Sequence, residues 1–229
     1  MGYPKNPDTI ILKNSYYPKG IKEIDIWNYY MSVKSSLVKE VSGRDLFVYI
    51  MTDKGPVLVR KGKTTKYIRL NASNYEQVIT GRTISIHSSM RRTESIGIVD
   101  IDCDNFRLAK IAAFETFNEI AAEFSILDRV TIHFTGKTGF HIFCKIRGRA
   151  NIDSIRFLLR KFLMGTNLAK KYTIESKRTS GIPNLDLAPN KFRGGYVSLH
   201  SLSTIGLKCM EIKPTELLRF EPHRARIKI

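Results

Sequence analysis

Between Val99 and Asp104 the chain alternates without a break: Val99-Asp100-Ile101-Asp102-Cys103-Asp104. Apolar residues at every second position read as a strand with one face on a core, which puts Asp100, Asp102 and Asp104 together on the other face. Aspartate is a poor strand former, and like charges at that spacing raise each other's pKa and oppose folding unless a cation lies between them. Carboxylate oxygens favour hard divalent ions such as Mg²⁺ or Mn²⁺. An acidic strand edge facing solvent is the plainer alternative. Asp104 stands just before a helical pattern and is better read as that helix's cap, with Asn105 also available.

The acidic cluster is set in a basic chain, with 38 Lys+Arg against 21 Asp+Glu and a net charge of +17 over 229 residues. That excess points to a polyanionic partner, nucleic acid rather than a membrane surface. A membrane span needs about 18 apolar residues in a row, and no stretch approaches that. Met1 to Gly20 lacks the apolar core of a signal peptide. Cys103, Cys144 and Cys209 are isolated, which supports neither a zinc ribbon nor a disulfide framework. They read as small core residues, and an intracellular, reducing setting is expected.

Periodicity predicts a helix from Asp25 to about Val41 with Gly43 past its end, then strands at Leu46–Met51 and Pro56–Arg60 around an Asp53-Lys54-Gly55 turn. Strands follow at Thr83–His87 and Ile96–Asp102, then a long amphipathic helix at about Phe106–Phe124. Strands at Val130–Phe134 and Phe140–Ile146, a helix at Ile152–Met164, and strand-like stretches near Leu185–Leu187, Tyr196–His200 and Leu207–Ile212 complete the pattern. Such a mixture indicates an α+β fold with a mixed, largely antiparallel sheet core flanked by helices. The expected organisation is one domain over 1–229, with an N-terminal lobe of about 1–80 on a catalytic core of about 81–229. The basic tail, with Arg219, His223, Arg224, Arg226 and Lys228, reads as a flexible arm.

Further clusters carry chemistry. Thr135-Gly136-Lys137-Thr138-Gly139-Phe140-His141 joins two strands through a short loop whose glycines leave backbone N–H groups available to phosphate. It is not a Walker A loop, because the spacing differs and no helix follows. Asn184-Leu185-Asp186-Leu187 reads by itself as a strand-end or turn aspartate, and gains weight because a carboxylate from a separate strand would complete a metal site begun by two others. Arg193-Gly194-Gly195-Tyr196-Val197-Ser198-Leu199-His200 gathers Arg, hydroxyl and His donors. Arg60, Lys61, Lys63, Lys66 and Arg69 form one basic cluster and Arg91-Arg92 another, either able to track phosphates without reading sequence.

An Asp-x-Asp strand, a Thr-Gly-x-x-Gly-x-His hairpin and a later Asp followed by Ser-Leu-His resemble, in that order, the archaeo-eukaryotic primase superfamily with its RRM-like core. Tyr17-Pro18, Asp25-Ile26-Trp27-Asn28-Tyr29-Tyr30, Gly43-Arg44-Asp45-Leu46 and Asp53-Lys54-Gly55 are similar to the opening of the polymerase domain of DNA ligase D. The last motif, Ser198-Leu199-His200 with Gly206-Leu207, is closer to the replicative primase small subunit. The ligase D pattern usually has a lysine where this chain has Glu23.

The resemblance implies a template-dependent nucleotidyltransferase that extends primers or fills gaps at DNA ends from NTP or dNTP substrates, with a role in non-homologous end joining and ribonucleotide preference. It implies that Asp100, Asp102 and Asp186 hold two Mn²⁺ or Mg²⁺ ions as the catalytic set. Thr135, Lys137, His141, Ser198, His200 and His87 would meet the nucleotide, and Arg60, Lys61, Lys63, Lys66, Arg91, Arg92 and Arg193 the nucleic acid. The partners implied are primer–template or broken-end DNA, with separate ligase and end-binding proteins. A primase that starts chains de novo and a non-catalytic nucleic-acid-binding module are the alternatives.

Overall fold

A computed structural model describes residues 3–61, 66–124, 126–175 and 180–229; the expectation for Lys63 lies outside the described residues. In chain order the elements are β1 (Ile10–Asn14), β2 (Tyr17–Lys22), α1 (Glu23–Ser32), α2 (Lys34–Val41), β3 (Leu46–Thr52), β4 (Gly55–Val59), α3 (Tyr75–Val78), β5 (Thr83–Ser89), β6 (Thr93–Asp102) and α4 (Phe106–Glu123). They continue with β7 (Leu127–Phe134), β8 (Phe140–Asn151), α5 (Ile152–Gly165), α6 (Leu168–Lys171), β9 (Thr173–Ile174), β10 (Asn184–Asp186), β11 (Gly195–Val197), β12 (Met210–Ile212), α7 (Pro214–Leu217) and a 3₁₀ turn at Pro222–Ala225. The chain divides into two compact units, one of Met1–Ser89, Gly195–Cys209 and Glu221–Ile229, the other of Met90–Gly194 and Met210–Phe220. The first unit therefore runs past residue 80 and takes in two later segments.

In the first unit β1 and β2 form an antiparallel hairpin, and a four-stranded sheet has the order β11-β5-β3-β4. The single helix expected over 25–41 is two helices, α1 and α2, meeting at Val33, whose φ and ψ of −105° and 6° leave the helical region. Ile26, Tyr30, Leu37 and Val41 still fall on one buried side, so the break preserves the core pattern that the periodicity reports. Tyrosine hydroxyls secure this unit: Tyr75 donates to the Tyr30 carbonyl, Tyr30 accepts from the Leu202 N–H, and Tyr17 donates to the Gly206 carbonyl. The tail expected to be a flexible arm is anchored instead. Ala225 and Ile227 are buried, Lys208 N–H bonds the Ala225 carbonyl, and Ile227 N–H bonds the Tyr17 hydroxyl.

The second unit is built on a six-stranded sheet, β12-β7-β8-β6-β10-β9, in which every pairing except β10–β9 is antiparallel. Strands β6, β7, β8 and β10 alternate with α4 and α5 in the β-α-β-β-α-β order expected of an RRM-like core. Helix α4 is capped by Asn105, whose Oδ1 accepts the Leu108 N–H at 3.2 Å, while Asp104 is exposed; the cap is Asn105 rather than the expected Asp104. The small residues Ala109, Ala112 and Ala113 let α4 lie close to the sheet, and Phe106 stacks on Phe140 at 5.7 Å between centroids. Helix α5 buries Ile152, Ile155, Leu159 and Leu163. A Cβ on Gly97 would come within 2.6 Å of Leu159 Cδ1, so any larger residue there would make the α5 side chains shift. Gly97, Ile101 and Phe140 share one face by the strand period and pairing, so both helices cover that face and the opposite one carries Asp100 and Asp102. The three cysteines are buried, and burial pushes the Cys144 thiol up to about 12.

Candidate active site

The pairing register lines up the acidic residues. His141 on β8, Asp100 on β6 and Asp186 on β10 are directly opposite one another. Facing residues in antiparallel pairs have Cβ atoms about 5 Å apart, so the three side chains form one row on the helix-free face. Asp102 is in the next row, opposite Asn184. Asp100 Oδ1 lies 3.3 Å from His141 Nε2. His141 is 3% exposed, and its Nδ1 is buried with no hydrogen-bond partner among the described residues. Its ring meets Phe143 edge-on at 5.9 Å, and Phe143 stacks on His133 at 4.3 Å, which fixes the orientation of the imidazole from behind. Asp186 Oδ1 accepts the Ala188 N–H at 2.7 Å, holding the carboxylate at the strand end.

One residue that sequence reasoning missed secures this row. Asn190 is fully buried; its Oδ1 accepts the Ile98 N–H at 2.7 Å and its Nδ2 donates to the Ile98 carbonyl. The amide thus continues the β10–β6 pairing past the end of β10 and ties Asp186 to Asp100. Nothing in a lone Asn after Ala188-Pro189 announces that role.

The Thr135–Gly139 loop closes on itself, with the Thr135 N–H and Oγ1 both bonding the Gly139 carbonyl, at 3.1 and 3.0 Å. Gly136 has a φ of +89°, a conformation suited to glycine. A Cβ on Gly139 would lie 2.7 Å from the Ile101 carbonyl oxygen and 3.3 Å from Asp102 Oδ1. The loop is therefore pressed against the acidic strand by the absence of a side chain. Thr135 is half-buried beside Asp102, and Lys137 is exposed at the loop tip.

The other nucleotide-contact candidates lie in the first unit. His87 Nε2 is 3.0 Å from Ser85 Oγ and its ring packs near Tyr49 at 5.2 Å. Ser198 is fully buried, with Oγ 2.8 Å from Ser88 Oγ. β11 stops at Val197, short of the expected His200, which lies in a turn with a φ of +66° and whose carbonyl accepts the Tyr29 hydroxyl. Burial, reinforced by the Lys208 charge, holds the His200 imidazole below its ordinary pKa. Glu23, where the ligase D pattern has a lysine, is buried and ion-paired with Arg82, which also holds Asp53 at 2.9 Å.

Arg60, Lys61 and Lys66 are exposed in the first unit, with Arg60 over the Phe47 ring and Lys61 near Tyr67, while Arg69 pairs with Asp45. In the second unit Arg91 is half-buried and Arg92 and Arg193 are exposed.

Among the described residues no group of three or more His, Cys, Asp or Glu side chains has the geometry of a metal centre. The donor chemistry fits a hard divalent ion all the same. Asp100 and Asp186 are directly opposed like charges, a destabilising arrangement that a cation relieves, and Asp102 adds a third carboxylate from the same face.

No family model matches the chain, and no curated protein matches it in sequence. The fold is that of a solved structure described as the polymerase domain from Mycobacterium tuberculosis Ligase D in complex with DNA. The two agree with a TM-score of 0.75 over 92% of this chain and 87% of that chain, at 15% sequence identity. The expected α+β architecture is thus a fold shared with that domain.

Proposed function

We propose that this protein is a template-dependent nucleotidyltransferase that extends a primer strand or fills gaps at DNA ends. The row His141–Asp100–Asp186, with Asp102 beside it, carries the reading. Three carboxylates on one sheet face would hold Mg²⁺ or Mn²⁺, which when bound supplies activation of the primer 3′-hydroxyl and neutralises charge on the triphosphate. The chain's own residues do the rest. The unpartnered Nδ1 of His141 offers a hydrogen bond to a phosphate oxygen, and the Gly136–Gly139 loop presents Lys137 and Thr135 to the same polyphosphate. The basic surface binds the phosphate backbone without base contacts, in keeping with a partner described in complex with DNA for the Ligase D domain.

The finer reading is repair synthesis in end joining with ribonucleotide preference, ligation being supplied by a separate protein. Priming de novo is the second reading, favoured by the Ser198-Leu199-His200 motif. A labelled primer–template with Mn²⁺ and rNTPs or dNTPs in separate reactions, beside an unprimed template, tests all of these. Extension of the primer supports the polymerase, product on the unprimed strand supports the primase, and no incorporation anywhere overturns both.

A further inference from the structure

At the end of β6 away from the aspartates lies a cluster of exposed cations. Arg92 precedes β6, and its guanidinium lies 4.5 Å from the centroid of the Phe192 ring; the guanidinium of Arg193 lies 4.9 Å from the same centroid. Phe192 is 42% exposed, and Arg92 and Arg193 are exposed with it. Two cations held by one ring are within about 10 Å of each other, so at 0.1 M salt they repel across no more than a Debye length. The quadrupole of one aromatic ring offsets that repulsion only in part.

The backbone is built to keep them there. Met90 N–H bonds the Gly194 carbonyl at 2.8 Å and Arg193 N–H bonds the Met90 carbonyl at 3.0 Å, which clips the two segments together. Arg193 has a φ of +62°, a left-handed conformation that is unfavourable for a non-glycine residue and persists only where the surroundings impose it. Such strain is stored where a side chain has to be aimed. More positive charge lies alongside: Lys191 is exposed, and Arg149 donates to the Thr93 carbonyl at 2.8 Å. Glu94 is buried and accepts the Arg91 N–H.

Position decides what the pair can bind. About eight strand residues at about 3.3 Å each put Asp100 roughly 25 Å from Arg92. That is out of reach of a nucleotide held at Asp100 and His141. It equals about seven steps of a nucleic-acid strand rising 3.4 Å per nucleotide.

We infer that Arg92, Phe192 and Arg193 form a preorganised clamp for adjacent phosphates of a nucleic-acid strand, about seven nucleotides from the reacting end. The inference rests on the proposed polymerase function and adds to it a distal contact, with Phe192 as a positioning residue. Contact with one ring restrains both guanidiniums, so each has less entropy to lose on meeting a phosphate.

The test is fluorescence anisotropy with two labelled primer–templates, one of about 5 base pairs and one of about 16, chosen to fall short of and to extend past the clamp. Phe192→Ala, which changes no charge, is expected to lower the long-to-short affinity ratio by about 3- to 10-fold. Arg92→Lys, which keeps the charge but not the planar guanidinium, is expected to lower it similarly, and Phe192→Trp to restore it. An unchanged ratio in Phe192→Ala, or equal losses on both duplexes, overturns the clamp. Wild-type protein that binds neither duplex overturns the polymerase reading itself, and the clamp with it.

Discussion

His141 Nε2 and Asp100 Oδ1 are 3.3 Å apart across the β6–β8 pairing, while the other ring nitrogen of His141 is buried and has no hydrogen-bond partner among the described residues. A buried, unsatisfied donor or acceptor costs about 1–3 kcal/mol, which a ligand that satisfies it returns as affinity. His141→Ala is therefore expected to raise the KM for nucleotide by about 10-fold or more, with much less effect on duplex binding. Steady-state extension kinetics beside anisotropy on the same duplex separate the two.

Asn190 makes a testable structural claim. Both of its amide atoms replace strand pairing at Ile98 in a fully buried position. Asn190→Ala leaves that backbone unsatisfied, and urea denaturation should show a loss of about 1–3 kcal/mol. Asn190→Asp should be at least as damaging, because the Ile98 carbonyl then faces a carboxylate.

Gly139 fixes how closely the hairpin loop approaches Asp102. A Cβ there meets the Ile101 carbonyl at 2.7 Å, so Gly139→Ala must push the loop or the strand aside. A displacement on the order of 1 Å at a reacting centre costs about 100-fold. Primer extension is expected to fall by about 10- to 100-fold while the circular dichroism spectrum stays native.

His200 supplies a pH dependence. Its folded pKa lies below the ordinary 6.5, so the unfolded chain takes up the proton first and stability falls as pH drops below about 6.5 and through the folded value. His200→Asn tolerates the same positive φ without titrating. Between pH of about 7.5 and 5.5 the wild-type melting temperature should fall further than that of the variant, and equal falls would contradict the assignment.

Strong local periods made much of the second unit legible. The alternation at Val99–Asp102, the apolar spacing of α4 and α5, and the glycine loop before His141 all describe local geometry, and each element lies where its pattern puts it. Elements without a period were not visible: α3, α6 and α7 have four residues each, and β9 has two. The α1–α2 break carries no Gly or Pro signal at Val33. Long-range pairings were equally silent. Nothing local shows that β11 returns to β5, that Ile227 reaches Tyr17, or that Asn190 completes the β6 ladder. The candidate aspartates were legible as chemistry, but that Asp186 lies opposite Asp100 is a fact of sheet register alone.

Under the proposed function, nucleotidyl transfer depends on the facing pair Asp100 and Asp186. Single-turnover extension of a labelled primer–template by wild type, Asp100→Asn and Asp186→Asn, with duplex affinity measured on the same preparations, tests it most directly. Each variant is expected to lose about 100-fold or more in extension, with duplex affinity kept within a few-fold. Extension at near wild-type rate in either variant would contradict that dependence.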